Sequence, residues 1–365
     1  MVEDPEHADD HEYEPRREEQ QGKPLAAEVR VQENDQPLEA RAGPGPHRRC
    51  LPITTGLAGR GTVARYSTAD PSGMRSDTMN ADIAASAAGS IALGTDLHVS
   101  RLGFGAMRIT GQGVWGDPPD RSAAVHILQR AVSLGVNLID TADAYGPETS
   151  ENLIALALYP YPKGLVIATK GGLVRPGPGV WNHDARPQHL RQACEASLRR
   201  LRVDCIDVYQ LHAPDPQVPI EDSIGELVRM KAGGKIRHIG VSNVSLSELK
   251  RCERLSPIVS VQNRYNLEDR QSEDVIAHCQ DKGIAFLPWA PLGSGRHAAH
   301  SGAMRALAEV AQRHRISTGQ VAIAWLLRRS PVMLPIPGTA SLEHLEENIA
   351  AAAVHLTHED MQDLG

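Results

Sequence analysis

Asp140, Tyr145, Lys170 and His212 are the residues of this chain whose types together could move a proton. Three of them stand at the close of short apolar runs: Val136-Asn-Leu-Ile-Asp140, Leu165-Val-Ile-Ala-Thr-Lys170, and Ile206-Asp-Val-Tyr-Gln-Leu211 leading into His212. Tyr145 follows Asp140 by five residues, just before a Gly-Pro turn. A charge that ends an apolar strand is costly unless a partner meets it. Lys170 beside Tyr145 would favour the phenolate and lower the tyrosine pKa toward neutrality, Asp140 would pair with Lys170 and fix it, and His212 would align a substrate oxygen.

Such residues must be gathered by the elements that carry them, and a parallel barrel does this by collecting its strand ends at one rim. The pattern supports that architecture. Ile91 to Val99 reads as a hairpin around Gly94-Thr-Asp96, and from Leu102 onward strand and helix signals alternate. Asp120 caps a helix reaching Leu134, Ser150 caps another to Leu158, and Pro187 opens a third running to about Arg200. Helices follow at 220–232, 245–255, 272–282, 304–314, 318–328 and 341–353, with apolar runs at 236–241, 258–261, 284–287 and 332–336. About eight strands over roughly 250 residues is the rhythm of a (β/α)8 TIM barrel, preceded here by an N-terminal β-hairpin.

A second set of polar strand endings follows the first. Ser242-Asn243 and Gln262-Asn263 place amides at the barrel mouth, where they could grip a carboxamide through its donor and acceptor. Trp289 offers a stacking face, and Pro291, Leu292, Gly293 and Ser294 form a loop whose backbone could approach phosphates. Pro337-Gly338-Thr339 ends the last strand before a helix N-terminus, another anion site. Gly111-Gln-Gly113-Val-Trp-Gly116 matches the dinucleotide fingerprint, but Asp117-Pro-Pro-Asp120 separates it from the helix it would have to open. It reads better as a loop with Trp115 lining a substrate pocket. No metal site is expected: the sixteen histidines include no H-x-H or H-E-x-x-H. Ser/His/Asp hydrolysis lacks its G-x-S-x-G turn.

The net charge of -7 and pI near 6.1 give no reason to expect nucleic acid or an anionic membrane surface as partner. No apolar run reaches the roughly 20 residues of a membrane span, and the N-terminus does not read as a signal peptide. Five scattered cysteines without a C-x-x-C pair suit a reducing cytoplasm. Residues 1–88 form a Pro/Glu-rich extension expected to be disordered, because it cannot bury enough apolar surface to offset its ordering entropy. Met74 and Met79 offer alternative starts within it. Residues 89–365 form the barrel.

Taken together, these motifs resemble the aldo-keto reductase family over about Ile91 to Leu364. The signature Asp140-Thr-Ala-x-x-Tyr145-Gly146, then Gly240-Val-Ser242-Asn243, then Ile336-Pro-Gly-Thr339 through Glu347-Asn348 occur in the family's order. The resemblance implies a (β/α)8 oxidoreductase with Asp140, Tyr145, Lys170 and His212 as catalytic tetrad, reducing an aldehyde or ketone with NADPH, NADH being the other candidate. It implies Ser242, Asn243 and Gln262 at the nicotinamide carboxamide, Trp289 stacked on that ring, and Glu347 and Asn348 at the adenine. Many members carry a lysine where Gly338 stands and an arginine where His344 stands, to clasp the 2′-phosphate. With neither present, Thr339, the helix N-terminus and His344 are left for that role. The loop 111–117, the stretch 157–162 and the Pro-Gly-Thr block look most like bacterial pyridoxal reductases, which implies pyridoxal-to-pyridoxine chemistry. The same fold also serves as a cofactor-binding regulatory subunit, a reading the intact tetrad opposes.

Overall fold

The computed structural model describes residues 84–293 and 302–365. Residues 1–83 of the expected disordered extension 1–88, and Ser294, lie outside the described residues. A 3-10 turn, Ala85–Ala88, comes first. Ala85 is fully buried, and its N–H donates to Leu134 O at 2.9 Å. Residues 85–88, ahead of the expected boundary at residue 89, thus pack against the chain that follows.

Strands β1 (Ser90–Leu93) and β2 (Leu97–Ser100) form the expected antiparallel hairpin, with Ile91 opposite Val99. Its turn is tied to the barrel floor: Asp96 Oδ1 meets His238 Nε2 at 2.7 Å and Asp96 Oδ2 meets Arg237 Nε at 2.7 Å. Gly94 makes this approach possible. Its φ is +70°, and a Cβ there would lie 2.5 Å from the His238 ring.

The barrel wall is built from β3 (Phe104–Gly105), β4 (Leu138–Asp140), β5 (Val166–Gly171), β8 (Ile206–Leu211), β9 (Ile236–Ser242), β10 (Ile258–Gln262) and β11 (Ala285–Phe286). These seven pair in parallel in the order β11-β10-β9-β8-β5-β4-β3. Between β5 and β8 the chain adds a second hairpin, β6 (Leu173–Gly177) and β7 (Val180–His183).

The eighth staff is the run 332–337, expected as a strand over 332–336. Phe286 N donates to Val332 O and Leu334 N to Phe286 O on one side; Gly103 N donates to Pro335 O and Gly105 N to Pro337 O on the other. On that second side the segment only accepts, because the residues whose N–H would point there are prolines. The ring is thus closed by hydrogen bonds without a regular ladder. Arg101 reinforces the seam, donating to Leu327 O at 2.7 Å, Ser330 O at 2.6 Å and Met333 O at 3.2 Å.

Alternation along each strand sorts two cores. Leu93, Leu97, Val99, Leu138, Val166, Ala168, Val208 and Leu334 fill the lumen above the hairpin. Ile139, Ile167, Tyr209, Leu211 and Val241 face outward into the helix layer. That layer comprises α1 (Arg121–Ser133), α2 (Thr149–Leu158), α3 (Pro187–Leu201), α4 (Ile220–Ala232), α5 (Leu246–Glu253), α6 (Glu273–Lys282), α7 (Gly302–His314), α8 (Thr318–Arg329), α9 (Leu342–Ala350) and α10 (His358–Leu364).

Asp120 caps α1 as expected, accepting from Ala123 N at 2.9 Å. Ser150 does not cap α2, which begins at Thr149. Its buried hydroxyl instead donates to Ala106 O at 3.0 Å and lies 2.8 Å from Thr141 Oγ1, joining the first helix turn to the strand ends. None of the helices described is long and apolar enough to cross a membrane.

Candidate active site

Above the apolar lumen the inward residues become polar. Asp140 ends β4 and Lys170 comes near the end of β5, on adjacent staves, and their alternation phase turns both side chains inward. Lys170 Nζ lies 2.6 Å from Asp140 Oδ1, 2.8 Å from Thr141 O and 3.3 Å from Tyr145 Oη. An ammonium has three hydrogens, and each finds an acceptor here. The other carboxylate oxygen, Asp140 Oδ2, accepts from Gln210 Nε2 at 3.0 Å and Gln262 Nε2 at 2.9 Å. Both ions of this fully buried pair are thus hydrogen-bonded, the condition under which a buried ion pair persists.

Tyr145 is carried on the β4–α2 turn, buried against the ammonium. The expectation for its acidity is corrected. Burial raises the Tyr145 pKa above its ordinary value of 10, and Lys170 only partly offsets this, with Asp140 adding to the rise. The phenol therefore stays protonated at neutral pH. Lys170 itself is raised: burial pulls it down, but Asp140 and then Tyr145 more than compensate.

His212, the residue after β8, sits edge-on to Tyr145 with ring centroids 5.7 Å apart. Burial drives its pKa well below 6.5, and Lys170, His183 and Arg175 push the same way. The imidazole is neutral, and its buried Nδ1 has no hydrogen-bond partner. The four residues named from sequence are thus brought into one pocket at the C-terminal rim.

Two further groups enter that pocket without having been foreseen. Trp181, on β7, places its ring centroid 6.4 Å from Tyr145 and 6.3 Å from His212. Arg175, on β6, lies 3.7 Å from the Trp181 ring and 5.8 Å from the Trp115 ring. The signal for this hairpin was present as Arg175-Pro-Gly-Pro-Gly179, a turn run flanked by β-branched and aromatic residues. On the turn that carries Tyr145, Asp143 buries its Oδ1 without a hydrogen-bond partner. Burial, then the nearby Glu151 carboxylate, raise its pKa to about 8.

The second set of strand-end residues lines the same rim. Ser242 Oγ donates to Gln262 O at 2.8 Å. Asn243 gives both amide hydrogens to the protein, to His212 O at 3.0 Å and Ser242 Oγ at 3.1 Å, and its Oδ1 accepts from Trp289 Nε1 at 2.9 Å. Asn243 has φ +57°, a left-handed conformation asparagine tolerates. Pro291, Leu292 and Gly293 follow in the next loop, with Leu292 exposed.

Beyond the closing segment, Thr339 Oγ1 accepts from Ser341 N at 3.0 Å and Ser341 caps α9 through His344 N at 3.3 Å. His344 is exposed on the first turn of α9, Glu347 is half-buried and Asn348 buried. Gly338 stands so close to β3 that a Cβ would lie 2.3 Å from Gly105 O. That contact explains the missing lysine, since no side chain fits there without moving backbone. The Arg108 stem lies 3.7 Å from the same point, and the residue is exposed.

An electron-carrying nicotinamide cofactor fits these residues on two observations. The rim carries amides and an indole, and an imidazole with an orphaned buried nitrogen stands edge-on to the phenol. No cluster of metal-ligating residues exists among the described residues.

Comparison with known proteins agrees with this geometry. The model of the aldo/keto reductase family matches residues 101–365. The chain is 51% identical over 275 residues to an uncharacterized oxidoreductase of Schizosaccharomyces pombe, covering 75% of this chain and 88% of that protein. It is 41% identical over 279 residues to pyridoxine 4-dehydrogenase of Escherichia coli, covering 74% and 96%. Among solved structures, a thermostable aldo-keto reductase in complex with the inhibitor epalrestat has TM-score 0.67 at 32% identity, covering 75% and 98%. An aldo/keto reductase from Klebsiella pneumoniae in complex with NADP and acetate has TM-score 0.64 at 26% identity, covering 75% and 93%.

Proposed function

The chain belongs to the aldo/keto reductase family, and from that premise we propose that it reduces an aldehyde with NADPH in a reversible reaction, pyridoxal-like aldehydes being the substrate class. At the coarser level it is an NAD(P)H-dependent oxidoreductase acting on carbonyl and alcohol groups. The observation that carries the proposal is the bond from Lys170 Nζ to Tyr145 Oη. Because Tyr145 accepts there, its own O–H points elsewhere, toward the pocket that it shares with His212.

A bound nicotinamide cofactor would supply the hydride. Tyr145 then delivers its proton to the carbonyl oxygen as negative charge develops on it, and neutral His212 donates a hydrogen bond that orients the same oxygen. The phenolate left behind is stabilised by Lys170, whose charge is balanced in turn by Asp140. Gln210 and Gln262 hold the far carboxylate oxygen, so Asp140 stays where Lys170 needs it.

Support for the cofactor's position comes from Ser242, Asn243, Gln262 and Trp289 at the rim, with Thr339, His344, Glu347 and Asn348 toward its distal end. Support for pyridoxal comes from the similarity to pyridoxine 4-dehydrogenase. NADPH consumption by the purified protein across small aldehydes, pyridoxal included, tests the reading. Saturable turnover is expected. Tight NADPH binding with no turnover anywhere in the panel would instead favour a cofactor-binding regulatory subunit.

A further inference from the structure

The mechanism uses Tyr145, Lys170, Asp140 and His212 but gives no role to the β6–β7 hairpin, although that hairpin is bound more firmly to the catalytic turn than a surface loop need be. Arg175 is the tie. Its Nε donates to Val180 O at 2.8 Å, Nη1 to Val114 O at 2.9 Å and Ala144 O at 3.3 Å, and Nη2 to Gly113 O at 2.8 Å. Four of the five guanidinium hydrogens are thus spent on backbone carbonyls of three segments: the hairpin, the glycine-rich loop and the turn preceding Tyr145. The two loops are also joined directly, Gly116 N to Gly146 O at 2.6 Å and Gly146 N to Val114 O at 3.2 Å.

So committed, Arg175 is ill-placed to bind a substrate carboxylate or phosphate. Its exposed counterpart is the indole it carries. Trp181 rests on the guanidinium at 3.7 Å, a cation–π contact that fixes its plane, while the ring stays half-exposed and borders both Tyr145 and His212. A rigid indole beside the proton donor and the orienting imidazole is a surface for another flat ring.

We propose that Trp181 is the specificity-determining wall of the active site, selecting aldehydes attached to an aromatic or heteroaromatic ring, and that Arg175 is the positioning residue that sets it. This rests on the carbonyl-reductase reading above. A flat substrate ring packs against Trp181 and places its carbonyl oxygen between Tyr145 Oη and His212; a short aliphatic aldehyde gains little from the same wall.

The test compares benzaldehyde and propanal as substrates, with NADPH, in wild type, Trp181→Ala, Trp181→Leu, Trp181→Phe and Arg175→Lys. Wild type is expected to prefer benzaldehyde. Trp181→Ala should cut the benzaldehyde-to-propanal ratio of kcat/KM about tenfold, chiefly through KM, since aromatic pairing beyond simple burial is worth up to about a tenfold factor. Trp181→Leu keeps apolar bulk without a ring face and should lose the preference too, which covers the case of an alanine variant that does not fold. Trp181→Phe should recover most of it. Arg175→Lys should lower the ratio and also kcat for both substrates, because Ala144 loses its anchor beside Tyr145. Turnover of both aldehydes with an unchanged ratio in Trp181→Ala and Trp181→Leu overturns the specificity wall alone. Wild-type turnover of pyridoxal but of neither test aldehyde overturns the wall while leaving the carbonyl-reductase reading intact; no turnover of any of the three removes that reading, and this one with it.

Discussion

Tyr145 Oη, buried in the pocket, accepts a hydrogen bond from Lys170 Nζ at 3.3 Å, and this turns the phenolic proton away from the lysine. Lysine and tyrosine are coupled here without the tyrosine being ionised. Burial wins over the neighbouring charge, so the lysine's contribution is felt when the phenolate forms rather than before. The pair is arranged to stabilise charge that develops in the reaction.

Removing that proton should therefore be severe. Tyr145→Phe is expected to lower kcat by about 10²–10⁴-fold, the usual yield of general-acid assistance, with NADPH affinity little changed. Wild-type kcat for reduction should show no decline as pH falls through 6.5, because His212 is held well below that value, and none near neutrality from Tyr145, which is held above 10. Steady-state kinetics over pH 5–9 on both proteins checks this; a limb near pH 6.5 in wild type would contradict a neutral His212.

Lys170→Met leaves Asp140 buried with only two amides for company. Breaking one partner of a buried pair costs about 3–5 kcal/mol, so the variant should unfold at much lower denaturant. Adding Asp140→Asn removes the stranded charge and should recover a good part of that loss without restoring activity. Denaturant midpoints of the two single variants and the double variant measure the coupling; additive losses would mean the pair is not energetically linked.

Asp143 gives a stability prediction with a definite sign. Its folded pKa of about 8 lies above the ordinary carboxylate value near 4, so the folded state binds a proton that the unfolded chain has already released. Its contribution is fully present below about pH 4, is lost as pH rises toward 8, and changes no further above that. Asp143→Asn keeps the shape without the titration. Its Tm should match wild type at low pH and exceed it progressively up to about pH 8. Solvent access to the rest of the side chain limits the gain to about 1 kcal/mol, or about 2–4 °C for a domain of this size. Thermal melts across pH 4–9 test it, and a constant Tm difference would refute it.

Cofactor preference should respond at His344 and not at Gly338. His344→Arg puts an arginine on the exposed first turn of α9, where a charge-assisted bond to a phosphate contributes about 1.5–3 kcal/mol, so the NADPH-to-NADH affinity ratio should rise at least about tenfold. Gly338→Lys meets Gly105 O at 2.3 Å and should destabilise the fold without that gain. Arg108→Ala should narrow the ratio if its guanidinium shares the phosphate. Dissociation constants for both cofactors in the three variants decide it, and an unchanged ratio in His344→Arg would place the phosphate elsewhere.

What the sequence determined by itself was the part written in local periodicity and in strand-end chemistry. Apolar runs alternating with capped amphipathic stretches specify a barrel, because a strand buried on both faces and a helix buried on one leave different spacings. Asp140, Lys170 and His212 were legible because a charged or titratable group closing an apolar run needs an explanation within the chain itself. The tertiary structure decided what depends on distances between segments remote in sequence. The closing staff reads as an ordinary strand until Pro335 and Pro337 are seen to face β3, the side on which their missing N–H groups prevent a ladder. Lys170 beside Tyr145 suggested a lowered phenol pKa, and only enclosure from all sides reveals that desolvation outweighs the charge. Gly338 was a missing cation in sequence and is a backbone contact with Gly105 in space. Arg175 and Trp181 carried turn signals but no sign of their target, since nothing local states that four carbonyls of three segments, Ala144 O among them, converge on one guanidinium.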